Sequence, residues 1–230
     1  MNKTELIVAL DVDSVVQAES LVDEIGPDVL WYKIGKQLFT REGVAALKML
    51  KSKGKKIFLD LKFHDIPNTV AQAVKSALSI GADMVNFHTS GGSEMIRKTV
   101  EVNKAEHPDA LLIAVTVLTS MDQQALAELG VTGSPADVVE RFAKIAKNSG
   151  AHGVVCSALE IDLVKNACGK DFKVIVPGIR PAGSSIDDQK RIMTPAEACA
   201  RGAEYIVVGR PITKAENKKA AAAAVLVELS

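Results

Sequence analysis

Apolar runs rich in β-branched residues recur along the chain: ELIVALDVD (5–13), VLWYKIG (29–35), KIFLDLKF (56–63), MVNFHTS (84–90), LLIAVTVL (111–118), GVVCSA (153–158), KVIVPGI (173–179) and YIVVGRPI (205–212). Each is short, bounded by turn-forming residues, and reads as a strand. Between them the apolar positions switch to helical spacing, over Val15–Ile25, Glu42–Lys53, Thr69–Ile80, Glu94–Val102, Ala136–Asn148 and Thr194–Arg201. Pro67 and Pro195 stand where a first helical turn opens, and Gly54, Gly81 and Gly150 follow periodic runs as C-terminal stops.

Eight such units in 230 residues give about 29 residues per unit, the length of one βαβ repeat. The strands are apolar on both faces, as parallel strands must be when helices cover one side and a packed core the other. This predicts α/β architecture, a single (β/α)8 TIM barrel forming one domain over 1–230. An open doubly wound sheet would usually carry G-x-G-x-x-G after its first strand, where this chain reads ALDVDSVVQ. No linker or low-complexity tract interrupts the pattern. The stretch 119–135, TSMDQQALAELGVTGSP, reads as a long polar loop and a mobile lid, and the alanines of 220–224 as helix formers.

Composition narrows the picture. With 28 Lys+Arg against 28 Asp+Glu, 24% charged and 47% hydrophobic residues, the chain is globular and has no net charge to attract nucleic acid or an anionic membrane. No stretch approaches the ~18–20 apolar residues that cross a bilayer. Asp11 and Asp13 break the first apolar run before a signal-peptide core forms, so a cytoplasmic location is expected. Cys156, Cys168 and Cys199 are odd in number and lack a C-x-x-C pair, which points to neither a disulfide framework nor a thiolate zinc site. His64, His88, His107 and His152 have no metal-ligand spacing; His88 reads as structural before it reads as part of a site.

The chemistry gathers at the C-terminal ends of the strands, where barrels of this kind keep their active sites. The first strand ends in Asp11 and Asp13, the second in Lys33 and Lys36, the third in Asp60, Lys62 and Asp65. Asp60 and Lys62 share one side of their strand, opposite Leu59, Leu61 and Phe63. A plain strand-neighbour salt bridge is the simpler reading, but desolvating both charges costs several kcal/mol per ion unless a ligand or network compensates. Asp65 alone has the alternative of a cap for the helix opening at Pro67, and Lys33 that of a side chain snorkelling to solvent. At the far end of the chain, VPGIRPAG (176–183) and VGRPIT (208–213) place Gly178, Gly209 and Arg210 after strands seven and eight, where barrels often bind phosphate; taken alone, Gly-Arg-Pro is also a turn.

Together these segments resemble the orotidine 5′-phosphate decarboxylase family of the bacterial type. FLDLKFHDIPNTV (58–70) is similar to its catalytic signature, VTVLTS (115–120) to its pyrimidine-binding segment, and VPGIRP, DDQKRIMTP and VVGRPIT to its phosphate end. The resemblance implies cofactor-independent decarboxylation of orotidine 5′-phosphate to uridine 5′-phosphate in pyrimidine biosynthesis, with no metal. It implies catalysis by a network of Lys33, Asp60, Lys62 and Asp65, Lys62 giving the proton to C6. Asp11 and Lys33 would then contact the ribose, Ser120 and the backbone near Pro177 the pyrimidine, and Gln189, Gly209 and Arg210 the phosphate, with Arg180 also among the substrate-binding residues. It further implies a homodimer in which Asp65, Ile66 and Thr69 reach the partner's site. Metal-dependent sugar-phosphate enzymes share Asp-x-Lys-x-x-Asp, but characteristically carry a carboxylate near the end of strand two, where this chain has Lys33. A non-catalytic phosphate-ligand sensor on the same barrel would have no use for a proton-donor network.

Overall fold

The computed structural model describes residues 4–104, 106–181 and 193–229. Its elements run β1 (Glu5–Ala9), α1 (Val15–Ile25), β2 (Trp31–Gly35), α2 (Lys36–Glu42), α3 (Val44–Ser52), β3 (Lys56–Phe63), α4 (Pro67–Ser79), β4 (Met84–His88), α5 (Gly92–Lys104), β5 (Leu111–Val115), α6 (Gln123–Glu128), α7 (Pro135–Asn148), β6 (Gly153–Val155), α8 (Ile161–Cys168), β7 (Lys173–Pro177), α9 (Pro195–Ala200), β8 (Tyr205–Val208), α10 (Arg210–Thr213) and α11 (Lys218–Glu228). The eight strands pair in parallel with their sequence neighbours, and β8 pairs with β1 to close the barrel. The architecture is a (β/α)8 TIM barrel.

Alternation along each strand divides the apolar residues into two layers. Ile7, Trp31, Phe58, Met84, Ile113, Ile175, Tyr205 and Val207 fill the barrel interior. Their neighbours Leu6, Val8, Tyr32, Ile57, Leu59 and Val85 face outward into a second layer beneath the helices. Inside, the ring of Trp31 meets that of Tyr205 edge-on at 5.5 Å, and its Nε1 donates to Glu5 Oε2 at 3.0 Å. Local signals start and stop the helices as their sequences require. Ser14 caps α1, which buries Ala18, Leu21, Val22 and Ile25. Ser134 and Asp137 form a capping box on α7, as do Thr194 and Glu197 on α9. Gly54, Gly81 and Gly150 all stand at positive φ just beyond helices.

Two sequence expectations are corrected, and one alternative reading falls. The stretch 119–135 is no continuous loop: it contains α6, capped by Asp122, whose side chain accepts from the Ala125 N–H at 3.0 Å. Asp65 does not cap α4; its Oδ1 accepts from the adjacent Ile66 N–H at 2.6 Å, and Ile66 is the capping residue without a side-chain bond. Most strands also end two to four residues early, so Asp11 and Asp13 lie beyond β1 rather than on it, and Lys36 opens α2.

Candidate active site

The charged residues of β2 and β3 meet at the barrel mouth. Lys33 points inward from β2; its Nζ lies 3.1 Å from Asp11 Oδ1 and 3.4 Å from Asp60 Oδ2. Lys62 Nζ donates to Asp60 Oδ1 at 2.5 Å. Asp60 is thus a carboxylate held between two ammonium groups, its side chain only 13% exposed. Gly35 makes room for this arrangement: a Cβ there would lie 2.8 Å from Lys33 Nζ and 3.0 Å from Asp11 Oδ1. Any larger residue would displace the ion pair.

Burial by itself would raise the Asp60 carboxyl and depress the Lys33 ammonium. Lys33 and Lys62 more than offset this at Asp60, which is held below the usual carboxylate range. Asp60 and Asp11 do the same at Lys33, which is held above the usual ammonium range. Both stay charged at neutral pH.

The backbone of β3 is distorted where it carries these groups. Leu59 pairs with Val85 and Phe63 with Phe87, so β3 takes four residue steps where β4 takes two. In this bulge Lys62 adopts φ +55°, the only non-glycine residue at positive φ among the described residues. That left-handed conformation costs about 1–2 kcal/mol and re-aims the side chain, a use to which bulges near active sites are put. Leu61 and Phe63 still pack against the outer layer, so the sidedness expected of Asp60 and Lys62 holds through the irregularity.

The charges line a cavity of about 180 Å³ with Phe58, Ile175 and Val207 as its apolar wall and Val115, Val155 and Pro177 around it. Lys33, Asp60, Lys62 and Asn86 supply its polar side. A flat apolar group with one ionised substituent fits such a lining. A second, open hollow of about 400 Å³ runs from Asp11 and Gly209 to Arg210, between α1 and α10. Polar Gln17 and Lys214 contribute to it.

The remaining expected residues divide. Pro177 lines the cavity, but Ser120 is exposed, and its neighbour Thr119 takes the lining position. Arg180 is 7% exposed, with its backbone N–H donating to Met193 O at 3.0 Å. Gln189 lies outside the described residues. Asp65, Ile66 and Thr69 are exposed on the turn after β3 and the start of α4, apart from this chain's own charged cluster; Ile66 is 67% exposed. Three contributors went unread in the sequence. Gly35 and Thr119 carried no distinctive signal. Asn86, a polar residue at an inward position of the apolar β4, could have been found by the reasoning that singled out Asp60.

His88, at the end of β4, stacks at a tilt on His64, with ring centroids 5.4 Å apart. Burial first, then the nearby His64, Lys62 and Lys36, push its imidazole down to about 4, so it is neutral at pH 7. Among the described residues no group of three or more His, Cys, Asp or Glu side chains is placed to hold a metal ion, and no helix is long and apolar enough to cross a membrane.

Comparison with known proteins gives this geometry a lineage. Residues 4–225 match the model of the orotidine 5′-phosphate decarboxylase / HUMPS family. The chain is 47% identical over 215 residues to orotidine 5′-phosphate decarboxylase of Haemophilus influenzae, covering 93% of this chain and 94% of that protein. It is 50% identical over 220 residues to the Vibrio cholerae protein of the same name, covering 94% of each. The crystal structure of orotidine 5′-phosphate decarboxylase from Lactobacillus acidophilus superposes with a TM-score of 0.88 at 40% identity, covering 99% of both chains. The chain belongs to the orotidine 5′-phosphate decarboxylase / HUMPS family.

Proposed function

We propose that this family member decarboxylates orotidine 5′-phosphate to uridine 5′-phosphate and carbon dioxide, the last step of de novo UMP synthesis, as a cytoplasmic single-domain enzyme without cofactor. The observation that carries the reading is the Lys33–Asp60–Lys62 array, charged and forming the polar side of a cavity of about 180 Å³ whose remaining lining is mostly apolar. The metal-dependent branch of the family is disfavoured by Lys33, since a second ammonium beside Asp60 repels a divalent cation.

In this mechanism the bond between C6 and the carboxylate breaks, its electron pair stays on C6, and carbon dioxide leaves. The Lys62 ammonium stabilises the developing negative charge and then transfers a proton to C6, regaining one from solvent. Asp60 orients Lys62 and presses its own charge toward the departing carboxylate. Lys33 and Asp11 hold the ribose, Thr119, Ser120 and Pro177 border the pyrimidine, and Gly209 and Arg210 receive the phosphate with Arg180 and Gln189. Holding the phosphate far from C6 supplies binding energy that orients the reacting end. Asp65, Ile66 and Thr69 complete the site of a second copy across a two-fold axis, which accounts for their exposure here.

Orotidylate turnover with a chelator present is the test. Undiminished conversion is expected; full dependence on magnesium, or preference for a sugar phosphate, would overturn the reading. The shared site is tested by mixing inactive Lys62→Ala and Asp65→Ala proteins under conditions that exchange subunits. Half the dimers become mixed, each with one intact site, so about a quarter of wild-type activity per subunit returns. Exchange without recovery would assign both residues to the same chain's site.

A further inference from the structure

Asn86 is almost fully buried in β4, and its side-chain amide is committed at both ends. Oδ1 accepts from the Lys62 N–H at 2.8 Å, and Nδ2 donates to Asp60 Oδ1 at 2.7 Å. The same Asp60 oxygen receives Lys62 Nζ. These partners fix the amide's orientation, because reversing it would set donor against donor and acceptor against carboxylate. The bulge has taken Lys62 out of the regular β3–β4 ladder, so its N–H needs a partner from β4, and Asn86 is that partner.

We propose that Asn86 is a positioning residue that closes a ring through Lys62 and Asp60, holding the Lys62 backbone in its left-handed conformation and the Asp60 carboxylate beneath the Lys62 ammonium. The inference deepens the decarboxylase reading and rests on it for its kinetic consequence. Two features separate this role from space filling. A space-filling residue has no need of an amide, and Asn86 engages the backbone and the carboxylate that between them aim one ammonium group. The charged groups that act on its partner Asp60 are Lys33 and Lys62, and those that act on His88 of its own strand are His64, Lys62, Lys36 and Asp60.

Asn86→Ala should lower kcat on orotidylate by about 100-fold, the scale of a misaimed catalytic group, with KM near the wild-type value. Asn86→Asp keeps an acceptor for the Lys62 N–H but sets a second carboxyl beside Asp60. At low pH that carboxyl is protonated and can donate as the amide does; once ionised it repels Asp60. Its kcat should therefore fall with rising pH across a range where the wild type is flat. The Lys62 amide proton, hydrogen-bonded to Asn86 Oδ1 in the wild type, should exchange faster in Asn86→Ala than in the wild type. Wild-type kcat in Asn86→Ala, a matching loss in kcat and thermal stability with no change in Lys62 exchange, or a wild-type pH profile in Asn86→Asp would each overturn the proposal. If Asn86→Ala does not fold, the Asn86→Asp profile decides. If the wild-type chain does not turn over orotidylate, it is the decarboxylase reading that falls, and Lys62 amide exchange alone decides the role of Asn86.

Discussion

The barrel carries buried charge at both ends, and the two ends use it differently. At the N-terminal end Lys165 of α8 and Glu204, just before β8, form a pair whose side chains are 11% and 9% exposed. Lys165 Nζ donates to Glu204 Oε1 at 2.6 Å and to the carbonyls of Lys170 and Phe172 at 3.0 Å each. The second Glu204 oxygen accepts from the Val174 N–H at 2.8 Å. Every donor of the ammonium and both carboxylate oxygens are used within the chain. At the C-terminal end Lys33 and Asp60 are buried to a similar degree, but among the described residues Lys62 Nζ bonds to Asp60 alone and otherwise faces the cavity. Burial of charge therefore does not distinguish the two ends. What distinguishes them is bonding capacity left over and directed at a cavity.

The sharpest break of this comparison is Lys62→Ala, expected to cut orotidylate turnover by about 10³-fold while the melting temperature stays close to wild type. Near-normal turnover would remove Lys62 from the chemistry. The mirror experiment is Glu204→Leu. Stranding Lys165 without its counter-ion should cost about 3–5 kcal/mol of unfolding free energy, measured by urea titration, with kcat per folded molecule unchanged. The double change Lys165→Met with Glu204→Leu should recover most of that loss, and a fall in kcat would show that the two ends are coupled. Arg210→Ala tests the phosphate end: KM for orotidylate should rise about 10- to 100-fold, the loss of one charge-assisted hydrogen bond. Any detectable activity on the phosphate-free nucleoside should be untouched. An equal loss on both substrates would move Arg210 into the chemistry.

The smallest effect concerns His88. Its imidazole is held near 4 in the folded protein, against 6.5 ordinarily, so between those values the unfolded chain binds more protons. Stability should be fully present above about pH 6.5 and fall as pH drops toward 4. His88→Gln should flatten this part of the urea-midpoint profile. An unchanged slope would mean that other groups carry it.

Most of the architecture was legible because each strand must be apolar on two faces, which leaves dense runs such as LLIAV and KVIV that nothing else in the chain resembles. Strand ends were less legible, since apolar character continues through Leu10 and Val117 after the ladder has stopped. The six-residue α6 buries only Leu126, too little for a period to emerge, so its segment read as loop. Lys33, Asp60 and Lys62 stood out as charges on apolar strands. The bulge at Lys62 did not, because no glycine or asparagine announces its positive φ; that conformation is imposed by neighbours, Asn86 among them.

The closure of β1 onto β8 also places a demand on synthesis. The Thr4 hydroxyl donates to Ala203 O at 2.7 Å, a contact spanning 199 residues. At roughly 5–20 residues per second, β1 leaves the ribosome roughly 10–40 s before its second neighbour exists. Through that interval its outer edge is an open row of backbone donors and acceptors, competent to pair with any other nascent strand. For a chain built this way, the hazardous period is the time between its first strand and its last.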